Sequence, residues 1–309
     1  MTIFTSTLNQ MLLLFSLIGV GFLLSRAHVV PKGTAAVLSK LENFVFLPAM
    51  VVGTFASKFT VDAFKDYSGL LLAGLLLTVI PIPLCIGLSK LCSRDDFVRK
   101  LYIYGLTFSN FGFMGNAVVQ ALFPDQFVYY LVFTLPMYVV IYLWGVPSLL
   151  IPAEGEKGIK RALKSLCNPL LIGSLVGMVI GLTGIQLPFF VQKTLAAAEG
   201  CMSPVAMILT GITVAEMPFL KIAKMKGIYA ITILRLLVFP LTIGYVLKLC
   251  GLDELQYLCA VCALAMPLGL NTVVVPAGYG KDTSVAAGMA LVSHMLSVLT
   301  IPLIFKILL

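Results

Sequence analysis

Long runs of apolar residues dominate this sequence and restrict the folds that it can adopt. Ten segments are long enough to cross a lipid bilayer, or nearly so, because a spanning helix needs about 20 mostly apolar residues. Numbered here as spans 1 to 10, they are 5–24, 41–57, 68–89, 101–122, 127–151, 169–185, 190–215, 228–247, 255–277 and 284–306. We therefore predict an all-α polytopic membrane protein with ten transmembrane helices.

The composition excludes a soluble protein of this length. Hydrophobic residues make up 60% of the 309 residues and charged residues 11%, whereas a soluble domain carries about 25% charged residues. The formal net charge of +8 does not indicate a nucleic-acid partner, because the basic residues lie in short loops between apolar spans. The first predicted partner is therefore the lipid bilayer.

Basic residues are concentrated in alternate loops. These loops contain Arg26, Lys32, Lys40, Lys90, Arg94, Arg99, Lys100, Lys157, Lys160, Arg161, Lys164, Lys221, Lys224, Lys226 and Lys281, and the opposite loops contain Lys58, Lys65, Lys193, Lys248 and Lys306. Loops rich in Lys and Arg face the cytoplasm, which predicts a multi-pass protein of the cell membrane with both termini extracytoplasmic. Span 1 lacks a basic leader and a cleavage site, so we predict a retained helix and not a signal peptide.

The two halves of the chain resemble each other at a nearly constant offset. Pro48 corresponds to Pro204, Gly112 to Pro267, Asn116 to Asn271 and Pro147 to Pro302. Each half contains five spans, and an odd number threads the second half in the opposite direction. This is the inverted repeat of secondary transporters. We predict a first five-helix repeat over 1–152, a cytoplasmic linker over 153–168 and a second, inverted repeat over 169–309.

Spans 4 and 9, fourth in each half, have the composition of broken crossover helices. Interrupted helices at corresponding positions are the best sequence indication of a transporter's binding site. The start of a half-helix offers free N–H groups with partial positive charge, which suit an anion. The candidate substrate-binding residues are Ser109, Asn110, Gly112, Gly115, Asn116, Pro267, Gly269, Asn271 and Thr272. The alternative is that Gly and Pro are simply common in membrane helices and that Asn bridges neighbouring helices.

Four ionisable residues within the spans are candidates for a coupling or counter-charge role. Arg235 in span 8 either balances a substrate carboxylate, clamps a cluster of carbonyls or extends to the membrane interface. His294 in span 10 either carries a coupling proton or is a neutral, hydrogen-bonded histidine. Glu42 and Glu199, which begin spans 2 and 7, are candidate sites for a proton or another coupling ion. The candidate coupling ions are H⁺ and Na⁺.

The sequence contains no motif for catalysis or for metal binding. Cys259 and Cys262 form a C-x-x-C without a second pair, and the only two histidines are far apart, so we predict no metal and no cofactor. Neither H-E-x-x-H, G-x-G-D nor an aspartate-pair motif is present, which argues against an intramembrane enzyme. Glycines at 173, 177 and 181 share one face of span 6 and mark either packing within the chain or a dimer seam.

Several motifs resemble the auxin efflux carrier family, which includes bacterial carriers and the plant auxin exporters within a bile acid/auxin-type superfamily. They are NFGFMGNAVVQALF in span 4, RLLVFP in span 8, and MPLGLNTVVVPAGYGKD followed by SHMLSVLTIP in spans 9 and 10. The resemblance implies two inverted repeats, a crossover of spans 4 and 9 at the midplane, and a homodimer whose mobile part moves against a scaffold of spans 1, 2, 6 and 7. It also implies that Asn110 helps to hold a substrate carboxylate and that Arg235 and Pro240 form an Arg-x4-Pro pattern.

Two positions depart from that family. Ala117 stands where members often have Pro, so Gly112 and Gly115 have to supply the break in span 4. His294 stands where a small hydroxyl residue is usual, so its role does not carry over. We predict a secondary active transporter of a small organic anion, such as malonate, malate or an auxin-like acid, working by alternating access of the elevator type. An anion-binding membrane sensor or a channel is the alternative.

Overall fold

The structure is a computed structural model that describes residues 3–60, 64–150, 166–216, 225–278, 281–282 and 284–309. Its helices, in chain order, are α1 Ile3–Arg26, α2 Thr34–Lys58, α3 Phe64–Val79, α4 Ile82–Cys92, α5 Asp96–Thr107, α6 Phe111–Leu122, α7 Phe127–Leu150, α8 Pro169–Thr183, α9 Phe189–Ala215, α10 Lys226–Leu249, α11 Glu254–Ala265, α12 Asn271–Gly278 and α13 Ser284–Leu308. The all-α prediction is confirmed. Most of the predicted linker, and the basic residues Lys157, Lys160, Arg161, Lys164, Lys221 and Lys224, lie outside the described residues.

Seven helical segments in the described part of the chain are long and apolar enough to cross a bilayer: α1, α2, Tyr67–Cys92, α7, α9, α10 and α13. Three apolar helices, α6, α8 and α11, are shorter. Helices α6 and α11 are short because each is half of a divided span: span 4 comprises α5 and α6, and span 9 comprises α11 and α12. The count of ten spans and the inverted threading of the two halves stay predictions.

Side-chain caps begin three of the helices that follow loops. Asp95 accepts a hydrogen bond from the Val98 N–H at the start of α5, and Asp253 accepts one from the Gln256 N–H at the start of α11, both over 2.8 Å. Asn168 accepts from the Leu170 N–H over 2.9 Å at the start of α8. Such caps satisfy donors that a helix start leaves free, so these polar residues set where the apolar helices begin.

Wider π-helical turns interrupt four of the helices. They comprise Glu42–Phe46 in α2, Phe111–Gly115 at the start of α6, Ile141–Leu150 at the end of α7 and Leu234–Val238 in α10. One of them contains Pro147, and two others end two residues before Pro48 or Pro240; a proline ring and its missing N–H disrupt regular α-helical bonding. Such turns often occur at functional sites, and two of these four carry the buried Glu42 and Arg235.

The glycine face of span 6 packs against α2 of the same chain. A Cβ on Gly177 would lie 2.9 Å from the Phe55 Cβ, and one on Gly181 would lie 2.5 Å from the carbonyl oxygen of Phe59. Only glycine permits this approach of α8 to α2, so the stripe serves packing within the chain. Helices α1, α2, α8 and α9, which contain the predicted scaffold spans, pack extensively in the pairs α1–α9, α2–α8 and α2–α9.

Large apolar side chains cover much of the outer surface. Examples with at least half of their area exposed are Leu12, Leu23, Leu72, Leu175, Val179 and Leu299. A soluble protein rarely leaves such surface uncovered, whereas a bilayer covers it without cost. Together with the seven candidate spanning helices, this surface identifies a multi-pass membrane protein.

Candidate substrate site at the paired helix interruptions

Both predicted interruptions are present. In span 4 the helix stops at Thr107 and resumes at Phe111, and in span 9 it stops at Ala265 and resumes at Asn271. Met266, directly before Pro267, has an extended backbone with φ −70° and ψ 147°. A residue before proline avoids the α conformation because it would collide with the proline ring, so the break in span 9 has a local cause.

The two interruptions pair with each other through their backbones. The Asn110 N–H donates to the Pro267 carbonyl over 2.7 Å, and the Gly269 N–H donates to the Phe108 carbonyl over 3.3 Å. These bonds flank a single antiparallel bridge between Ser109 and Leu268. Unsatisfied backbone is costly in a membrane, and here each unwound segment supplies partners for the other.

Arg235 binds the carbonyl groups at the ends of both first half-helices. Its guanidinium donates to the Leu106 carbonyl of α5 over 3.2 Å. It also donates to the carbonyls of Ala263, Leu264 and Met266, at the end of α11, over 3.2 to 3.3 Å. The side chain is 3% exposed. Among the three predicted roles, this geometry is that of a carbonyl clamp, in which a buried cation offsets the negative ends of two helices.

His294 on α13 contacts the crossover through Asn110. Its Nδ1 lies 2.7 Å from the Ala290 carbonyl oxygen, and its Nε2 lies 2.9 Å from the Asn110 Nδ2. A carbonyl only accepts, so Nδ1 carries the proton, and in a neutral ring Nε2 is then the acceptor. Both side chains are 2% exposed. The Asn110 amide group therefore donates to His294 and turns its oxygen the other way.

A cavity lies beside the paired interruptions, and we call it the crossover cavity. Its lining consists of Asn43, Leu47, Tyr104, Ser109, Asn110, Phe111, Gly112, Phe113, Tyr138, Ile141, Tyr142, Gly269, Leu270 and Asn271. None of these lining residues is ionised at neutral pH. The free volume is about 40 Å³, room for roughly three water molecules. In this conformation the cavity is therefore small, and its lining contains polar and apolar residues but no ionised side chain.

Several hydrogen-bond donors in the crossover cavity have no acceptor. Within the described part of the chain, no acceptor contacts the N–H groups of Phe111, Gly112 and Phe113 at the start of α6. The Tyr138 hydroxyl is buried without a hydrogen-bond partner of standard geometry. The Tyr104 hydroxyl accepts from the Asn271 amide over 3.0 Å and so keeps its own proton to donate. Such donors match the oxygen atoms of an anion.

Gly112 and Gly115 make room for two tyrosines. A Cβ on Gly112 would overlap the Tyr138 hydroxyl, and one on Gly115 would overlap the Tyr130 hydroxyl. Tyr130 donates to the Phe111 carbonyl over 3.1 Å. The glycines lie inside the π-helical turn rather than at the break itself, and their small size brings tyrosine hydroxyls against the start of α6.

The nine predicted binding residues separate into two groups. Ser109, Asn110, Gly112, Gly269 and Asn271 line the crossover cavity, and the remaining four are not among its lining residues. Among these four, the Asn116 amide is fully buried and lacks a hydrogen bond of standard geometry, with the Tyr138 hydroxyl as a neighbour. Thr272 donates to the Gly269 carbonyl over 2.8 Å. Pro267 supplies the carbonyl that holds Asn110.

The two predicted carboxylates lie away from the crossover cavity. Glu42 is fully buried in the π-helical turn of α2, near the backbone of Ala206 on α9, and neither of its carboxyl oxygens has a hydrogen bond of standard geometry. Glu199 on α9 accepts from the Gln120 amide at the far end of α6 over 2.6 Å. It also borders a separate open groove of about 450 Å³.

Sequence reasoning missed Asn43, Tyr104, Tyr138 and Tyr142 as cavity residues. A usable signal was present in span 5, where Tyr138 and Tyr142 are four residues apart and so share one helix face. The position of Asn43 carried no such signal, because only the packing of α2 brings it to the cavity.

Comparison with known proteins agrees with this architecture. A protein-family model described as membrane transport protein matches residues 6–305. The chain belongs to this family. It is the auxin efflux carrier family, so the resemblance seen in the motifs is confirmed, and the family consists of transporters and not of enzymes. A search of curated proteins finds no match to the chain. In the described residues, no three His, Cys, Asp or Glu side chains cluster closely enough to hold a metal ion.

Proposed function

We propose that this protein binds a small organic anion, a carboxylate, in the crossover cavity and carries it across the cell membrane by alternating access. The observation that carries this proposal is a pair of hydrogen-bonded helix interruptions beside a cavity with unused donors. Irregular backbone persists at membrane depth only where it is buried in protein or lines a cavity. Membership of a transporter family supports movement of the ligand rather than a reaction on it.

The donors suit a carboxylate better than a cation or an apolar solute. The N–H groups at the start of α6, the Tyr104 and Tyr138 hydroxyls and the Asn271 amide surround the same space. A helix start carries partial positive charge, so its N–H groups favour an anion. A hydrogen bond to a charged group contributes about 1.5–3 kcal/mol, so a few such bonds give useful affinity without a fixed charge.

The present volume requires that the site open before it admits a dicarboxylate. A cavity of about 40 Å³ holds a few waters only. We propose an elevator in which α1, α2, α8 and α9 form a static scaffold within a homodimer and the crossover moves against it. Two contacts would then break during the movement: Glu199 with Gln120 on α6, and the Lys58 ammonium with the Pro124 carbonyl over 3.0 Å.

The first experiment is a thermal-shift screen of the purified protein against mono- and dicarboxylates, with and without sodium, followed by uptake into proteoliposomes. A ligand present at about 100 times its Kd stabilises the folded state by about 2.7 kcal/mol, which gives a clear shift in melting temperature. We expect at least one carboxylate to stabilise the protein and to show saturable uptake with counterflow. Ohmic current would indicate a channel, and binding without flux a sensor. A screen without any stabilising carboxylate would overturn the assignment.

Tyr138→Phe is expected to separate ligand binding from folding. In the described part of the chain the hydroxyl has no hydrogen bond of standard geometry and only borders the Asn116 amide, so its removal should change the melting temperature little. Carboxylate affinity should fall about tenfold, because one hydrogen bond to a charged ligand is lost. Tyr130→Phe is the matched control: its hydroxyl bonds the Phe111 carbonyl, so stability should fall by about 1 kcal/mol instead. Unchanged affinity in Tyr138→Phe would remove this hydroxyl from the site.

A further inference from the structure

An anion in the crossover cavity meets no fixed positive charge. The lining has no ionised side chain, and the buried cation at the crossover, Arg235, has its guanidinium directed at four carbonyls. Helix starts and hydroxyls offer partial charges only. A full negative charge placed at membrane depth is costly unless a counter-charge accompanies it. The site therefore lacks one positive charge when the anion arrives.

The side-chain amide of Asn110 also uses its donor group on His294, so that in the described part of the chain only its acceptor oxygen is free. Its Nδ2 donates to the Nε2 of His294, and Asn110 is one of the residues that line the cavity. Among the described residues its Oδ1 accepts no hydrogen bond, so a cavity-lining residue keeps one carbonyl-type oxygen without a donor. Two oxygen acceptors repel each other, and a carboxylate next to this oxygen gains no hydrogen bond. While His294 is neutral, the Asn110 amide therefore offers the proposed ligand an acceptor where an anion needs a donor.

We infer that His294 is the proton-binding site that couples anion binding to H⁺, acting through the side-chain amide of Asn110. When a proton from solution binds to Nε2, that nitrogen becomes an N–H donor while Nδ1 keeps its bond to the Ala290 carbonyl. Asn110 must then turn its amide by half a rotation so that Oδ1 accepts from Nε2. Its Nδ2 now points towards the cavity and donates to the carboxylate. No covalent bond other than the new N–H bond forms or breaks, and the site gains one positive charge.

This inference rests on the proposed function and names its coupling ion. Binding of a proton and binding of an anion each favour the other by the same factor, because linkage is reciprocal. In the empty site the ring is the neutral tautomer, since Nδ1 donates to the Ala290 carbonyl and Nε2 accepts from the Asn110 amide. One proton should therefore enter with each carboxylate, which makes the protein a proton–anion symporter.

Within the described ranges, no titratable side chain forms a hydrogen bond with His294. The charged or titratable side chains on the helices packed against α13 are Arg26 on α1; Lys193, Glu199 and Cys201 on α9; Lys226, Tyr229, Arg235, Tyr245 and Lys248 on α10; and Glu254, Tyr257, Cys259 and Cys262 on α11. The two described hydrogen bonds of the ring go to Asn110 and to the Ala290 carbonyl. Protonation of His294 therefore acts on Asn110 first.

The test measures malonate binding to the purified protein by calorimetry between about pH 7 and pH 8.5, where malonate stays ionised. Wild-type affinity should fall about tenfold for each unit of rising pH, with uptake of about one proton per malonate. His294→Gln keeps an acceptor for Asn110 but has no titratable ring, so its affinity should not depend on pH and its binding should take up no proton. His28→Gln replaces the other histidine, which is exposed, and should behave as wild type.

The possible negative results distinguish an error in the role of His294 from an error in the proposed function. Retained pH dependence in His294→Gln, or its loss in Glu42→Gln instead, would overturn the role of His294. A wild-type affinity that is independent of pH, or that responds to Na⁺ only, would also overturn it while leaving the proposed function intact. If neither malonate nor any other carboxylate binds to the protein, the proposed function itself is overturned. If His294→Gln does not fold, ¹⁵N NMR spectra of the two histidines in the wild-type protein replace it. Added malonate should convert one neutral ring to imidazolium, and two rings that stay unchanged would overturn the role of His294.

Discussion

Replacing Arg235 with methionine is expected to destabilise the folded protein by about 4 kcal/mol or more, because several charge-assisted hydrogen bonds are lost at once. The guanidinium satisfies carbonyls at the ends of α5 and α11, and methionine fills a similar volume without any donor. The freed carbonyls would remain buried, where an unsatisfied backbone group costs several kcal/mol. Thermal unfolding in detergent or nanodiscs measures the change.

Two control variants test whether the clamp itself is responsible. Arg94→Met removes an exposed arginine before α5, and its effect on melting should be small. Arg235→Lys keeps the charge but offers a compact ammonium, which cannot span the carbonyls of two helices. Its stability should therefore lie between those of wild type and Arg235→Met. Equal stability of Arg235→Met and wild type would contradict the clamp and would favour an arginine that reaches the membrane interface.

Asn110→Ala is expected to abolish carboxylate uptake while the protein still folds. The side chain lies where the two interruptions meet, and its backbone N–H bond to Pro267 does not depend on the amide group. Loss of the side chain removes the amide that, in the proposed protonated state, donates to the carboxylate, and it breaks the connection to His294. The stability cost should stay near 1–3 kcal/mol, the usual cost of leaving one buried neutral partner unpaired. Uptake should fall by at least about 10- to 100-fold.

Asp95→Ala is the control for this change. It removes the exposed side chain that caps α5 and does not line the crossover cavity, so stability should fall by about 1 kcal/mol and uptake should persist. Wild-type flux in Asn110→Ala proteoliposomes would take Asn110 out of the binding site. Loss of uptake in both variants would instead indicate that reduced stability, and not a missing ligand group, limits the assay.

Most of the fold follows from local properties of the chain. Apolar runs of spanning length predict the helices, since a bilayer leaves backbone groups no partners outside the helix itself. Pro267 predicts the break in span 9 for a steric reason. The family motifs are likewise contained in short segments around Asn110, Arg235 and Asn271. Each of these inferences needs only residues near one another in sequence.

Tertiary contacts supply the partners of the polar residues, which the sequence left open. The sequence left three roles open for Arg235. The carbonyl clamp is favoured by hydrogen bonds to carbonyls at the ends of α5 and α11, which are far from Arg235 along the chain. His294 meets Asn110 only because α13 packs beside the crossover. The cavity side chains Asn43 and Tyr138 arrive on α2 and α7. Apolar length depends on composition, which a sequence displays directly, whereas a hydrogen bond depends on distance and direction, which exist only after the helices have packed.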